Sequence, residues 1–130
     1  MNPEESQPVI FPALKYGNAP KALAWLADAF GFQRRTEVPG PEGTILHAEL
    51  TLGASVLMLG SRGKPDPSNP WATEPGIYVY VPDVDAHYAR ARAAGAEIIR
   101  ELHETSYGAR EYSARDLEGH LWSFGTYYPR

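Results

Sequence analysis

The sequence has no cysteine. This absence excludes a disulfide framework, a thiolate nucleophile and a zinc site built on cysteine, and it is compatible with a reducing compartment. Clusters of basic residues are also missing from the sequence. In total, 12 Lys and Arg residues are outnumbered by 16 Asp and Glu residues, which gives a net charge of −4. Nucleic-acid binding needs cations that neutralise phosphates, so we expect no nucleic-acid partner.

Long apolar runs and a signal-peptide pattern are absent as well. No apolar stretch approaches the ~18 residues that a membrane-spanning helix needs, so we expect no membrane partner. Residues 1–8, MNPEESQP, are acidic and polar, whereas a signal peptide begins with a basic segment followed by an apolar one. We therefore expect a disordered lead-in over 1–8 and a cytoplasmic protein.

The sequence also lacks the motifs of several common enzyme classes. It has neither the glycine-rich loops that hold nucleotide phosphates nor the Gly-x-Ser-x-Gly turn of serine hydrolases. Nucleotide cofactors and serine-hydrolase chemistry are therefore unsupported, and we expect no cofactor.

The first half of the chain shows a clear order of strands and one helix. The β-prone run VIFPALKY predicts a strand over 9–16, and Pro12 favours an edge position because proline cannot donate a ladder hydrogen bond. Asn18 is a good N-cap and Gly31 can adopt the left-handed conformation after a helix, so a helix is predicted over 19–30. Three strands are predicted to follow, near 32–38, 44–52 and 54–60.

The same order recurs in the second half. The run GIYVYV predicts a strand, Asp83 is a good N-cap for the helical run VDAHYARARAA, and Gly95 can close that helix. Three more strands are predicted near 96–101, 109–115 and 120–127. The two copies lie about 64 residues apart.

We interpret residues 1–130 as a single domain made of two tandem βαβββ modules. Module 1 covers about 9–60 and module 2 about 76–127. The segment 61–75 between them is rich in proline and is predicted to be a linker.

Two features of the sequence resemble a known superfamily. These are the paired βαβββ modules, with AGAEI after the second helix, and the hairpin sequence YGAREYSARDLEGHLWSF. Both are similar to the vicinal oxygen chelate superfamily, which includes glyoxalase I and bleomycin-resistance proteins. The detail of Tyr107-Gly108 and Arg110 looks most like the PhnB-like subgroup. The resemblance implies an α+β fold with a cupped, eight-stranded mixed sheet, and a homodimer.

The resemblance also implies where a metal would bind. In metal-using relatives, four strand positions that point into the cup supply His, Glu or Gln ligands, and these positions fall here on Phe11, Met58, Ile77 and Ser123. None of the four is a usual ligand, because a divalent cation needs several oxygen or imidazole nitrogen donors. We therefore expect a metal-free protein.

Three polar side chains are candidates for contact with a ligand. His47 and Glu49 alternate with apolar residues in ILHAELTL, so both are expected to face the cup or solvent, where they form a proton-sharing pair or an exposed polar face. Arg110 is expected to hold a carboxylate, either of a ligand or of a neighbouring acidic residue. The neighbouring candidates are Glu101, Glu104 and Asp116.

The leading hypothesis is metal-independent binding of a small organic molecule in the cup between the modules, as in bleomycin-resistance proteins. The alternative hypothesis is a glyoxalase-like lyase or isomerase that uses His47 or Glu49 as a base. A third hypothesis is a purely structural dimeric module. Trp71, in the linker, is expected either to close the pocket on a flat ligand or to pack as a loop or subunit contact. The full set of expected ligand-binding residues is Phe11, Ala13, His47, Glu49, Met58, Trp71, Ile77, Val79, Arg110 and Ser123.

The expected ligand is a planar aromatic or cationic aromatic compound, because the cup floor is predicted to be apolar. Glu49 and Glu111 are expected to add negative potential near the rim, and Arg110 and Lys15 to counter it. The preference for charge is therefore expected to be weaker than the preference for aromatic rings.

Overall fold

The computed structural model describes residues 7–130, so most of the expected lead-in lies outside the described residues. Two helices and eight strands follow one another in the predicted order. The first half contains β1 (Ile10–Tyr16), α1 (Ala19–Phe30), β2 (Gln33–Pro39), β3 (Ile45–Leu52) and β4 (Ser55–Ser61). The second half contains β5 (Gly76–Tyr80), α2 (Val84–Ala93), β6 (Glu97–Glu104), β7 (Arg110–Arg115) and β8 (Leu121–Gly125).

The strands form one sheet of eight strands in the order β2-β3-β4-β1-β5-β8-β7-β6. β1 pairs parallel with β4, and β5 pairs in the same way with β8, so the two halves repeat one pattern. The halves join where β1 pairs antiparallel with β5, within one chain. This arrangement confirms the predicted α+β fold with an eight-stranded mixed sheet.

Both helices begin at the predicted caps. The Asn18 side chain accepts a hydrogen bond from the backbone N–H of Lys21, and the Asp83 side chain accepts one from Ala86, each at 3.2 Å. These bonds satisfy N–H groups that a first helical turn leaves without partners. Helix α1 ends at Gly31, whose φ of 80° lies in the left-handed region that glycine adopts without strain.

The position of β1 corrects one expectation. Pro12 was expected to place this strand at an edge, yet β1 lies in the middle of the sheet, between β4 and β5. The pairing with β4 begins only at Ala13, whereas the pairing with β5 covers Ile10 to Ala13. Pro12 therefore has a neighbour on one side only, and its missing N–H leaves no partner of β4 unsatisfied.

The helices cover one face of the sheet. Ala19, Leu23 and Leu26 of α1 form a buried cluster with side chains of β3 and β4, among them Leu50 and Leu59. A second cluster places Val84 at the start of α2 on Tyr112 and Ala114 of β7. Because successive strand residues point to opposite faces, the alternate residues of these strands face the other side of the sheet, which no helix covers.

Among residues 7–130, neither helix combines the length and the apolar character that crossing a membrane requires.

Candidate functional site

A cavity of about 700 Å³ lies on the sheet face opposite the helices. Its wall includes residues from both modules and from the linker. Of the ten residues that the sequence predicted for ligand binding, five line this cavity. They are Ala13, His47, Met58, Trp71 and Ser123.

The prediction for β5 is out of register by one residue. Ile77 and Val79 were expected on the cup floor, but Tyr78 between them lines the cavity. Tyr78 lies beside Phe11 on one neighbouring strand and beside Ser123 on the other. Since side chains alternate along a strand, Ile77 and Val79 are directed to the opposite face.

Phe11 supports the cavity without lining it. Its side chain is completely buried and packs edge-on against Tyr128, with ring centroids 5.5 Å apart. Its ring also lies 6.4 Å from that of Tyr78. The expected contact of Phe11 with a ligand is therefore replaced by a contact with the aromatic side chains of the floor.

Arg110 lies outside the cavity and is held by acidic neighbours. Its guanidinium donates to Asp85 at 2.9 Å and to Glu104 at 3.0 Å. These hydrogen bonds raise the pKa of Arg110 above its ordinary value. Of the two roles considered for Arg110, the structure shows pairing within the chain, and the residue does not line the cavity.

Glu49 carries the buried charge of the site. Its side chain is 0% exposed, and its carboxylate accepts hydrogen bonds from three residues. Arg35 Nη2 lies 2.7 Å from Oε1, His47 Nε2 lies 2.9 Å from Oε2, and the Tyr127 hydroxyl also donates to Oε2. An ionised carboxylate can only accept, so Nε2 of His47 carries the proton in this pair.

The pKa of Glu49 reflects a competition between burial and hydrogen bonding. Burial alone would raise this pKa, but hydrogen bonds from His47, Tyr127 and Arg35 outweigh it and lower the pKa below its ordinary value of 4.5. Glu49 is therefore ionised near neutral pH, and its donors balance its charge. It does not line the cavity itself; it fixes the His47 ring, which does.

Trp71 brings the linker into the cup. Its indole Nε1 donates to Ser113 Oγ at 3.1 Å, and Ser113 Oγ in turn donates to Ser123 Oγ at 3.3 Å. The ring lies directly over Gly76, where an added Cβ would be only 2.6 Å from Trp71 Cη2. The glycine at this position therefore leaves the space that the indole fills.

Several lining residues escaped the sequence analysis. Tyr78, Tyr107 and Tyr127 line the cavity, as does Arg100 of β6. Tyr78 donates to the carbonyl oxygen of Tyr127 at 2.5 Å, and burial raises the pKa of both tyrosines, so they stay protonated. A one-residue shift of the β5 register would have found Tyr78, but no motif marks Tyr127, which follows the last strand.

The four expected metal positions do not suit a divalent cation. Met58 and Ser123 offer only a thioether and a hydroxyl, Phe11 offers no donor, and Ile77 faces away from the cavity. Over residues 7–130, no three His, Cys, Asp or Glu side chains are grouped so that they could hold a metal ion. Both Glu49 oxygens already accept hydrogen bonds from protein donors, so they are poorly placed to serve as ligands.

The architecture defines a class of protein in which two βαβββ modules share one sheet around a central cavity. Residues 12–124 match the Glyoxalase/Bleomycin resistance protein/Dioxygenase superfamily, and the chain belongs to this family. This confirms the superfamily that the sequence resembled.

Relatives in this family cover nearly the whole chain. An uncharacterized protein of Mycobacterium bovis is 32% identical over 126 residues, which cover 92% of this chain and 83% of the relative. A superfamily member from Vibrio splendidus 12B01 is 22% identical, with a TM-score of 0.70 and coverage of 89% and 96% of the two chains. Methylmalonyl-CoA epimerase from Mycobacterium tuberculosis is 20% identical, with a TM-score of 0.65 and coverage of 95% and 92%. The two structural likenesses show a shared fold.

The Glu49 network predicts a pH-dependent loss of stability. Glu49→Gln replaces an ionised acceptor by an amide and leaves Arg35 without its counter-ion, so we expect a cost of about 1–3 kcal/mol in unfolding free energy near neutral pH. The folded-state pKa of Glu49 is lowered, so its stabilisation is complete above the ordinary value of 4.5 and is lost as pH falls through the folded-state pKa. Urea unfolding of both proteins should therefore show a difference that shrinks as the pH is lowered below 4.5.

Glu118→Gln is the matched control, because Glu118 is exposed in the turn before β8. It should leave the unfolding free energy within about 0.5 kcal/mol of wild type. A Glu49→Gln variant as stable as the Glu118→Gln control near neutral pH would contradict the role of the network.

Proposed function

We propose that this protein binds a small, flat, aromatic molecule in the cavity without using a metal. The observation that supports this most directly is the 700 Å³ cavity with the Trp71 indole in its wall. Ligand pockets are typically about 300–1,000 Å³, largely apolar, with a few polar groups that fix orientation. This cavity fits that description.

The aromatic preference rests on the residues that surround the cavity. Trp71, Tyr78, Tyr107 and Tyr127 offer ring faces and edges, and Met58 adds a polarizable thioether. Burying a ligand ring among them gains about 25 cal/mol per Å² of apolar surface, before the costs of association. A planar ring also stacks on an indole with a further gain of about 0.5–1.5 kcal/mol.

The same proposal includes the subgroup of the family to which the chain belongs and the cellular location of the protein. Tyr107-Gly108 and Arg110 support membership of the PhnB-like subgroup. A cytoplasmic location is compatible with the cysteine-free composition.

A second candidate function is a lyase or isomerase of the glyoxalase type. One observation favours it: Glu49 fixes the His47 ring through Nε2, and the ring lines the cavity, which leaves the lone pair of Nδ1 as a base. His47 would take a proton from a bound substrate and return it to a neighbouring atom. Binding remains the leading proposal, because residues 7–130 offer no metal donor set that could stabilise an enediolate.

Binding of a neutral aromatic probe should depend on Trp71. We expect 2-naphthamide to bind the wild-type protein and to bind Trp71→Ala about tenfold more weakly, because the variant loses a stacking surface in the cavity wall. Isothermal titration calorimetry measures both affinities without relying on tryptophan fluorescence.

The matched control is Trp25→Ala, which removes an indole that is 54% exposed on α1 and packs on Phe30. This variant should bind the probe as wild type does. Equal affinity in folded Trp71→Ala would place the site elsewhere. Turnover of a glutathione hemithioacetal by wild type, lost in His47→Ala, would favour the enzyme over a binding protein.

Metal removal should have no effect on stability. The thioether of Met58 and the hydroxyl of Ser123 do not form a divalent site, so EDTA should leave the melting temperature of untagged protein unchanged. Differential scanning fluorimetry with and without EDTA measures this. Elemental analysis that finds one Zn, Ni, Mn or Fe per chain would refute metal independence.

We also propose that the protein forms a homodimer, as the resemblance implies. Both modules already pair within one chain through β1 and β5, so the dimer would leave the strand order unchanged. The free edges of β2 and β6 offer surface for such a contact. Light scattering at tens of micromolar should give twice the chain mass of 14.3 kDa, and a monomeric mass would contradict the proposal.

A further inference from the structure

Lys15 lines the cavity and lies beside Gly60, a residue without a side chain. Lys15 of β1 pairs with Gly60 of β4. The ladder between β3 and β4 ends at the pair of Ala48 with Leu59, one residue before Gly60. Both Lys15 and His47 line the cavity.

Gly60 makes room for the Lys15 ammonium. A Cβ at position 60 would lie 3.3 Å from Lys15 Nζ and 2.8 Å from the carbonyl oxygen of Leu46. The second distance is shorter than real Cβ contacts allow, so only glycine fits here without a shift of the backbone. The Lys15 ammonium and the Leu46 carbonyl oxygen thus lie in the space that a side chain at position 60 would need, and Lys15 lines the cavity.

Lys15 has no counter-ion in the described part of the chain. None of the ion pairs found over residues 7–130 involves it. Burial lowers its pKa from the ordinary value. A partly desolvated ammonium without a partner gains more from an arriving anion than a fully hydrated one does.

The other charges near the cavity are engaged or lie elsewhere. Glu49 is balanced by its three donors, and Glu111 accepts a hydrogen bond from the Tyr107 hydroxyl at 3.0 Å. Arg110, expected at the rim, is paired outside the cavity. Of the two carboxylates expected at the rim, Glu49 is therefore balanced by its donors, and Glu111 stays in the cavity wall as a hydrogen-bonded carboxylate. Lys15 is a cation facing the ligand, together with Arg100 on the far strand β6.

From this geometry we infer that the Lys15 ammonium in the cavity wall receives an acidic group of the ligand, of the carboxylate class. The ligand is then an aromatic acid whose ring lies among the aromatic side chains of the cavity. A single ammonium matches one negative charge, and the second cation of the cavity, Arg100, lies on the far strand β6. The inference deepens the proposed function and rests on it, and it replaces the expected preference for cationic aromatics.

The test compares two probes that share one ring and differ in charge. In wild type, 2-naphthoate should bind at least about tenfold more tightly than neutral 2-naphthamide, since a hydrogen bond to a charged group is worth about that factor. Lys15→Gln should remove this preference and leave the affinity for 2-naphthamide within about twofold of wild type. Lys15→Arg, which keeps the charge, should retain most of the preference.

Lys21→Gln is the matched control, because Lys21 is exposed on α1 and its loss changes the net charge equally. It should leave both affinities unchanged. Arg100→Gln separates the two cations of the cavity, and a preference that follows Arg100 instead of Lys15 would overturn the inference. Circular dichroism and the melting temperature confirm that each variant is folded.

The outcomes separate this inference from the proposed function. Equal binding of both probes to wild type leaves the aromatic site in place and overturns the acid subsite. A preference for 2-naphthoate that persists in folded Lys15→Gln overturns it as well. If neither probe binds wild type at millimolar concentration, the proposed function fails and the acid subsite fails with it.

Discussion

The buried carboxylate of Glu49 is the interaction on which the geometry of the cup depends. A charged group that is taken out of water costs several kcal/mol unless donors surround it. Its donors come from three parts of the chain: Arg35 from β2, His47 from β3 and Tyr127 from the segment after β8. Each must hold its position for the carboxylate to stay satisfied. The two modules are therefore joined by a side-chain network as well as by backbone pairing.

This network also decides which polar groups are free to meet a ligand. In the sequence, Glu49 is an obvious candidate for direct contact, since it alternates with apolar residues on a strand. In the structure its lone pairs are directed at donors of the protein, and its role is to orient His47 and Tyr127 in the wall. The recognition of charge passes to Lys15, which the sequence had suggested only as a counterweight at the rim. Glu49, expected to contact the ligand, instead supports the wall, and Lys15 takes the contact with the ligand. The roles differ from the expected ones because a buried carboxylate must be paired with donors of the protein.

The sequence predicted the fold well because its signals are local. Asn18 and Asp83 mark the helix starts, and Gly31 marks the end of α1. The orientation of β3 was also predictable. Ala48 and Leu50 are apolar whereas His47 and Glu49 are polar, and this alternation indicates which face of the strand packs on α1. Strand β5 has no such contrast, because Ile77, Tyr78, Val79 and Tyr80 are all apolar or aromatic. Its register therefore could not be read from periodicity, and the prediction slipped by one residue.

The features that the sequence did not reveal depend on contacts between distant residues. Arg110 pairs with Asp85 at a separation of 25 residues, and Tyr127 reaches Glu49 at a separation of 78. No periodicity or short motif contains such information, because it arises only when the sheet brings β2 and β3 near the end of the chain. Pro12 illustrates the same point for the backbone. A proline is tolerated in this central strand because the pairing of β1 with β4 begins only at Ala13.

The linker completes the site by placing Trp71 against the sheet, and two glycines of the sheet determine the shape of ligand that fits. The N–H of Gly63 donates to the carbonyl oxygen of Ala72 at 2.7 Å, which turns the proline-rich segment back toward the sheet beside Trp71. The indole then rests on β5 only because residue 76 has no side chain. Gly60 likewise leaves the space in which the Lys15 ammonium lies. Two glycines on the sheet thus make room for the two specific features of the cavity, a ring to stack on and an ammonium for an acidic group. A ligand that uses both must present an acidic group at one side of a planar ring.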